Sequence, residues 1–363
     1  MYSRRNSDNQ EDQEPERMTR ESSSQYKTSR RHGKAFWLFM IIIVAILAGG
    51  GMMLHKYNLA RQTAKKIYSP TGITKARDAD ATLKQGKPIS VLLLGTDTGA
   101  LGRSFKGRTD TMIIMVLNPK SQKMTLVSLP RDAEVTVAGF EDQAPSKINS
   151  AYAFGGPGTA VKTVQNYLNV PIDYYMTINM GGLENMVNAV GGIDLKPIRT
   201  FSYGGCHFVK GKMTHMDGKM ALQYCRMRHE DPLGDYGRQT RQRQVMMKLA
   251  SKITNVKSLL SNQFMHTIGK QAQTDLSFDD LKTLGLKYRK ATHHMKSTHL
   301  QGNGTDINGQ DFEVVPQTEK QRVTDLLRKA LELQPAQTGT ADSSAQSYQA
   351  GSQQQYSQQA NTY

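Results

Sequence analysis

The chain has little of what staples small secreted folds and little of what marks the commonest catalytic machinery. Its 363 residues include two cysteines, Cys206 and Cys225, and one tryptophan. Two cysteines are too few for a disulfide-dense scaffold, and neither stands in a CxxC or Cys/His ligand spacing, so zinc ribbons and fingers are excluded. The pair either bonds in an oxidising compartment or stays as two separate thiols, and the residues leave both readings open. No GxSxG, HExxH, GxxxxGK[ST] or strand-following GxGxxG occurs, which removes support for α/β-hydrolase, zincin, P-loop and dinucleotide chemistry. Acidic residues are scarce relative to basic ones, 31 Asp and Glu against 47 Lys and Arg, for a formal charge of +16. That excess points to a polyanionic partner: nucleic acid, an anionic membrane surface or a phosphate-rich substrate. With 37% hydrophobic and 21% charged residues, the composition otherwise fits one large domain with appendages.

One long apolar run is present. Residues 35–54, AFWLFMIIIVAILAGGGMML, carry no charge over 20 positions, and a helix of that length spans about 30 Å of hydrocarbon. A buried core helix rarely runs so far without a polar face, so the run reads as one transmembrane helix, with Phe36, Trp37 and Phe39 suited to the interfacial belt. It ends in GGGMMLHKYN without a small-x-small cleavage site and follows a 34-residue polar arm, so it is expected to stay as an anchor. Five cations on one side (Arg20, Lys27, Arg30, Arg31, Lys34) face four on the other (Lys56, Arg61, Lys65, Lys66), a weak asymmetry. A first apolar segment after a short polar arm acts as a signal anchor, and this places the arm in the cytoplasm and residues 55–363 outside.

The arm of residues 1–34 holds 8 Lys and Arg and 6 Asp and Glu, and residues 334–363 hold only Asp342, so a formal +15 is concentrated in 55–333. An external domain meets no nucleic acid. Its polyanion is then a lipid headgroup, a phosphorylated glycan or the anionic cell wall.

Residues 55–86 are polar, rich in Lys and Ala and interrupted by SPTG at 69–72, and read as a stalk. Residues 334–363, rich in Gln, Ser, Ala and Tyr, lack the aliphatics to offset chain entropy and read as a disordered tail. The fold is expected over 87–333. Buried-strand runs ISVLLLG (89–95), TMIIMVLN (111–118) and KMTLVSLP (123–130) are followed by a helical pattern at 158–169, an aromatic strand at 173–179 and a short helix at 183–190 closed by Gly191 and Gly192. Further helices are expected at 217–228, 238–254, 278–290 and 319–333. Strands interleaved with helices imply an α/β three-layer sandwich, a mixed central sheet covered by helices on both faces.

The residues with chemical potential are arginines and aspartates at strand ends and loop entries. They are Asp97 in LLLGTDTG, Arg108 and Asp110 in GRTDTMII, Arg131 and Asp132 in SLPRD, Lys147 and Asn149 in KINSAY, Arg226 and Arg228 in CRMRHED, and Asp235, Arg238, Arg241 and Gln242 in GDYGRQTRQ. Guanidinium forks bind phosphate oxygens in pairs, and hard divalent cations need oxygen ligands. Taken singly, each Arg is also explained by a local ion pair with a neighbouring Asp. Taken together they suggest a metal-plus-phosphate site, and the residues alone leave the two readings open.

These motifs, LLLGTDTG, GRTDTMII, SLPRD, KINSAYAFGG, the R-x-R of CRMRHED and D-x-x-GR-x-x-RQ, run in one unbroken order from about Lys87 to about Ala250, and through them the chain resembles the LytR-CpsA-Psr family of Gram-positive envelope proteins. The resemblance implies a membrane-anchored, extracytoplasmic phosphotransferase. It would move a glycopolymer such as a teichoic acid or capsule from a polyprenyl-pyrophosphate carrier onto peptidoglycan with Mg²⁺, Mn²⁺ being the alternative, and would need no nucleic acid. Position by position, Asp97 and Asp110 match the family's metal acids, and Arg108, Arg131, Arg226, Arg228, Arg238 and Gln242 match its pyrophosphate-binding set. Arg108, Asp235 and Arg238 are the residues expected to act in catalysis, Asp235 by positioning an arginine or by assisting the incoming hydroxyl. Thr109 stands where Ser is common in the family, and Cys225 precedes the R-x-R. An apolar pocket for the prenyl chain is also implied, with 111–117 and 183–190 as candidate walls. A membrane-anchored pyrophosphate hydrolase or an envelope regulatory protein is the alternative. His207, His215, His229, His293 and His294 read as surface or packing residues.

The helix expected to open near Gly237 places Arg238, Arg241, Gln242, Val245 and Leu249 at three-to-four spacing, so its stripe starts polar and turns apolar. Its free N–H groups would favour an anion, and Arg238 and Gln242 would be exposed there.

Overall fold

The computed structural model describes residues 53–96, 107–228, 231–253 and 262–339. The chain divides into two units, Met1–Met53 and Leu54–Tyr363. The apolar run of 35–54, except for its last two residues, and Asp97 lie outside the described residues. Among those that are described, no helix is long and apolar enough to cross a membrane.

A helix over residues 53–67 (α1) and α2 (Ala79–Lys84) precede the first strand, β1 (Ile89–Thr96). Next come β2 (Thr109–Asn118), β3 (Lys123–Leu129), the short pair β4 (Glu134–Val135) and β5 (Ser146–Lys147), α3 (Ser150–Leu168), β6 (Tyr174–Asn179) and α4 (Met180–Ala189). Two small ribbons follow, β7 (Ile193–Leu195) with β10 (Thr214–Met216) and β8 (Phe201–Tyr203) with β9 (Cys206–Phe208). The chain continues through α5 (Gly218–Arg226), α6 (Gly234–Ile253), α7 (Asn262–Gln271), β11 (Ala272–Thr274), α8 (Phe278–Thr283), β12 (His294–His299), the hairpin β13 (Asn303–Ile307) and β14 (Gln310–Val314), and α9 (Gln317–Ala330).

Six strands form one sheet in the order β11-β6-β1-β2-β3-β12. β1 is antiparallel to β2 and parallel to β6, β3 is antiparallel to β2 and parallel to β12, and β11 is antiparallel to β6. The sheet is therefore mixed, as expected. β1 is apolar almost throughout because both of its faces are covered. Leu92 and Leu94 enter one cluster with Val164, Leu168, Val323 and Leu327 from α3 and α9, while Val91 and Leu93 enter a second with Leu83, Tyr174, Tyr288 and Ala291. Successive side chains point to opposite faces, so one uninterrupted run serves two cores. Each fully buried leucine contributes roughly 1.5–3 kcal/mol. A third cluster gathers Met186 and Val187 of α4 and its C-cap Val190 with Ile193, Phe208, Tyr224 and Val245. Segments 111–117 and 183–190, expected to wall a single pocket, thus look into different clusters.

Several boundaries differ from expectation for identifiable reasons. α3 opens at Ser150 rather than 158 because the chain makes a first short helical stretch before Gly155 and Gly156 leave helical geometry, Gly156 at φ 72°. Pro157, which needs no donor at a helix start, then reopens the helix. The expected stalk joins the fold early. Ala64, Ile67, Ala79 and Leu83 are buried, Ser69 N donates to Thr274 O at 2.8 Å, and Arg77 donates to both carboxylate oxygens of Asp173 at 2.7 and 2.6 Å. The polar composition of 55–86 concealed a narrow stripe of small apolar residues. The expected tail also begins later than Gln334. Thr338 is buried, its Oγ1 lies 2.8 Å from Thr324 Oγ1, and Asn169 Nδ2 donates to Gln337 O at 2.7 Å. Cys206 and Cys225 are free thiols, and burial pushes Cys225 up to about 12.

Candidate active site

One end of the sheet collects most of the expected chemistry. β1 finishes there at Thr96, opposite Thr109 of β2 and beside Asn179 of β6, while Leu129 of β3 lies opposite Met112 and leads through Pro130 to Arg131. The β1/β2 register shifts between Gly95 and Thr96, an irregularity that bends the ladder where chemistry-bearing residues emerge. The buried N-terminus of α3 is tied to the same end, because Asn149 N donates to Arg131 O and Ile148 N to Ala133 O, at 3.2 and 2.8 Å.

Arg131 is the centre of a charged network. Its Nη1 donates to Asp110 Oδ1 at 2.5 Å and its Nε to Asp132 Oδ2 at 3.3 Å, while Lys147 Nζ lies 3.3 Å from Asp132 Oδ1. Burial lowers the pKa of this guanidinium, but the bond to Asp110 and the charges of Asp132, Asp110 and Asp235 outweigh it and leave it above the ordinary arginine value. Arg238 approaches from α6. It donates to Asp235, whose other oxygen accepts from Gln239 Nε2 at 2.8 Å. Burial lowers the Arg238 pKa, and Asp235, Arg131, Asp110 and Arg228 are all within electrostatic reach of it. Asp110, Arg131, Arg228, Asp235 and Arg238 therefore belong to one constellation. Arg238 Nε and Gln239 Oε1 are buried with no hydrogen-bond partner, so an unsatisfied donor remains within it.

The turn bearing Arg226 and Arg228 is held by Arg241. This fully buried side chain donates from Nε to Tyr224 O at 3.0 Å, from Nη2 to Met227 O, and from Nη1 to Asp231. Met227 is buried, which anchors the turn and leaves Arg226 and Arg228 on either side of it, both exposed. α6 begins at Gly234, three residues before the expected position, because Asp231 O and carboxylate close the turn by accepting from Gly234 N and Leu233 N at 2.8 and 3.0 Å. A Cβ at Gly237 would sit 2.0 Å from Asp231 Oδ2, so only glycine lets the carboxylate lie against the helix. Two expectations are corrected by this start. The helix opening is occupied by Asp231 and Asp235 rather than left for an anion, and Arg238 and Gln242 are buried, not exposed.

Arg108, at the entry to β2, is exposed and makes no ion pair with another described residue. No described contact ties Arg108, Arg226 or Gln242 directly to the network. Among the described residues no group of three or more His, Cys, Asp and Glu converges as a metal site. Asp110 offers the carboxylate oxygens that a hard cation takes, and the Oγ1 atoms of Thr96 and Thr109, opposite each other on β1 and β2, are buried with no partner.

Sequence reasoning did not assign Tyr236, Gln239 and Glu313. Tyr236 donates its hydroxyl to Glu313 and accepts from Gly302 N at 2.8 Å, its ring lies 4.9 Å from that of His299, and Glu313 N donates to Asp132 O at 2.8 Å. The β13–β14 hairpin thus joins the loop of Arg131 and Asp132 to the first turn of α6. The tyrosine within GDYGRQTRQ was the only signal available.

The LytR_cpsA_psr family profile matches residues 53–329. The chain is 43% identical over 295 residues to the polyisoprenyl-teichoic acid–peptidoglycan teichoic acid transferase TagU of Enterococcus faecalis, covering 81% of this chain and 96% of that protein. The crystal structure of Bacillus subtilis TagU superposes with a TM-score of 0.55 at 35% identity over 69% of this chain and 99% of that one. TagT bound to LIIa-WTA superposes with a TM-score of 0.60 at 25% identity over 74% and 100%. With the profile spanning the whole sheet-and-helix fold and its site, the chain belongs to the LytR_cpsA_psr family.

Proposed function

We propose that the protein is a transferase that moves a teichoic-acid type glycopolymer from a polyprenyl-pyrophosphate carrier to peptidoglycan. The single observation that carries this reading is the constellation of Arg131, Arg228 and Arg238 with Asp110 and Asp235 at one end of the sheet. It keeps a buried guanidinium donor unsatisfied, in a chain whose relatives are named for that transfer. Arg131 and Arg238, held in place by Asp110 and Asp235, bind the diphosphate oxygens and stabilise charge on them as the hydroxyl attacks. Arg226, Arg228 and Arg108 add cations from the exposed side, and Gln242 adds an amide. A peptidoglycan hydroxyl forms the new P–O bond to the polymer-bearing phosphorus. The bond to the lipid-bearing phosphate breaks, and in the net reaction the hydroxyl proton passes to the released polyprenyl phosphate. Asp235, bonded to Arg238 and Gln239, acts as a positioning group.

Asp110, together with Asp97, would hold Mg²⁺ or Mn²⁺, which when bound supplies a Lewis acid for phosphoryl oxygens. The prenyl chain lies against the partly buried Met115, Met176, Met246 and Met247 that pack on the second cluster. The apolar run of 35–54 anchors the protein once in the membrane, with the domain outside. Protease added to spheroplasts then removes the domain, and full protection would reverse the topology. For the reaction, full-length protein is mixed with lipid-linked polymer and peptidoglycan. Polymer covalently attached to peptidoglycan is the expected product, whereas free polymer phosphate formed equally with or without peptidoglycan would mark a hydrolase.

A further inference from the structure

Two segments distant in sequence, α1 with α2 and α8 with the turn that follows it, meet on one face of the domain. Residues 54–77 and 281–305 contain no Asp or Glu. Tyr57 of α1 meets Phe278 of α8 edge to face with ring centroids 5.2 Å apart, and Lys287 Nζ donates to Lys84 O at the end of α2. Asp279 is an acid on this face. It pairs with Lys282 at 2.8 Å, and the bond from Lys282 with the nearby Arg61 and Lys84 holds its carboxyl below the usual range. Arg61, Lys84 and Lys282 therefore surround Asp279, with Lys287 on the end of α2. Bare hydrocarbon adjoins them in the chain: Leu286, next to Lys287 in a wide helical turn over Leu284–Tyr288, is 77% exposed, and Tyr57, against Phe278, is 46% exposed.

We propose that this face docks on an anionic lipid surface, with Tyr57 and Leu286 entering the headgroup layer and Arg61, Lys84, Lys282 and Lys287 meeting lipid phosphates. Two features select lipid over a soluble polyanion. Exposed apolar groups among cations suit an interface that is oily beneath and charged above, whereas a polymer in water gains nothing from Leu286. The uncharged run of residues 35–54 is also continuous in sequence with α1, which supplies Tyr57 and Arg61 to this face. The contact is additional to the anchor and independent of polymer transfer.

The test uses full-length protein carrying Leu286→Trp in vesicles containing brominated lipids, with the unsubstituted protein reporting the background of Trp37. In phosphatidylglycerol-rich vesicles the introduced indole is quenched several-fold more than in phosphatidylcholine vesicles. The difference disappears at ~1 M salt, where the Debye length is about 3 Å. Adding Lys84→Gln, Lys282→Gln and Lys287→Gln abolishes the lipid preference. If that variant fails to fold, the comparison of lipids and salt on Leu286→Trp alone decides. Quenching no greater than the Trp37 background in anionic vesicles overturns the proposal. So does protection of the indole from acrylamide by a glycerol-phosphate polymer without lipid quenching, which would make the face a polymer site.

Discussion

At the scale of single residues, arginines of similar sequence context have different duties. Arg131→Lys keeps a cation but loses the fork that spans Asp110 and Asp132, and transfer is expected to fall by about 10²-fold in kcat, the usual cost of losing one preorganised donor. Arg108 is exposed, so Arg108→Ala is expected to weaken transfer while changing stability by no more than about 0.5 kcal/mol. Arg238→Ala removes a buried guanidinium, leaves one oxygen of the partly exposed Asp235 without its partner while Gln239 keeps the other, and is expected to cost about 1–3 kcal/mol, visible as a lower Tm. His299 supplies the pH dependence. Burial is the main cause that lowers its pKa below 6.5, so the unfolded chain binds the proton more readily. Stability from this group is therefore undiminished above the unfolded pKa and declines as pH falls from about 6.5 toward the lower folded value. His299→Gln should flatten that part of a Tm against pH curve. At this scale the charged motifs were legible because strand-end Arg and Asp residues are conspicuous. Burial was not, since a short helix shift buries Arg238 and Gln242 without altering their spacing.

At the scale of elements, the β13–β14 hairpin works as a clasp through Tyr236 and Glu313. Tyr236→Phe leaves Gly302 N–H and the Glu313 carboxylate without their partner and is expected to cost about 1–3 kcal/mol. Glu313→Gln, which keeps an acceptor for the Tyr236 hydroxyl, should cost much less than Tyr236→Phe in a chemical denaturation series. The stretch of 334–339 acts as a strap over α3 and α9. Besides Thr338, Arg328 Nε donates to Gln334 O at 2.7 Å and Gln321 Nε2 to Ala336 O at 3.0 Å. A chain ending at residue 333 is expected to melt several degrees below one ending at 339, at roughly 2–4 °C per kcal/mol for a domain of this size. β1, β2 and β3 were legible because runs such as ISVLLLG are buried on both sides. β12 was not. Its sequence, HMKSTH, is half exposed at a sheet edge, and its partner β3 supplies the apolar side. An edge strand furnished with Lys296 and two histidines resists pairing with another chain, and for that same reason it carries no hydrophobic alternation to read.

At the scale of the whole molecule, the order in which the strands are laid down has a consequence for how the domain comes into being. β3 waits for β12, whose first residue is 171 positions later in the chain, and the cluster above β1 is roofed by Val323 and Leu327 of α9 only near the end. A chain delivered N-terminus first thus exposes the apolar faces of β1, β2 and β3 through most of its synthesis. Contacts of such separation form slowly, because the loop entropy is lost before they return any stabilisation. Arrested chains ending near residue 290 are expected to remain open to protease, with protection arriving abruptly once α9 has emerged. Assembly of this domain is therefore governed by its last quarter, and a lesion in α9 or β12, remote from the arginines, would reduce the amount of active protein rather than the activity of each molecule.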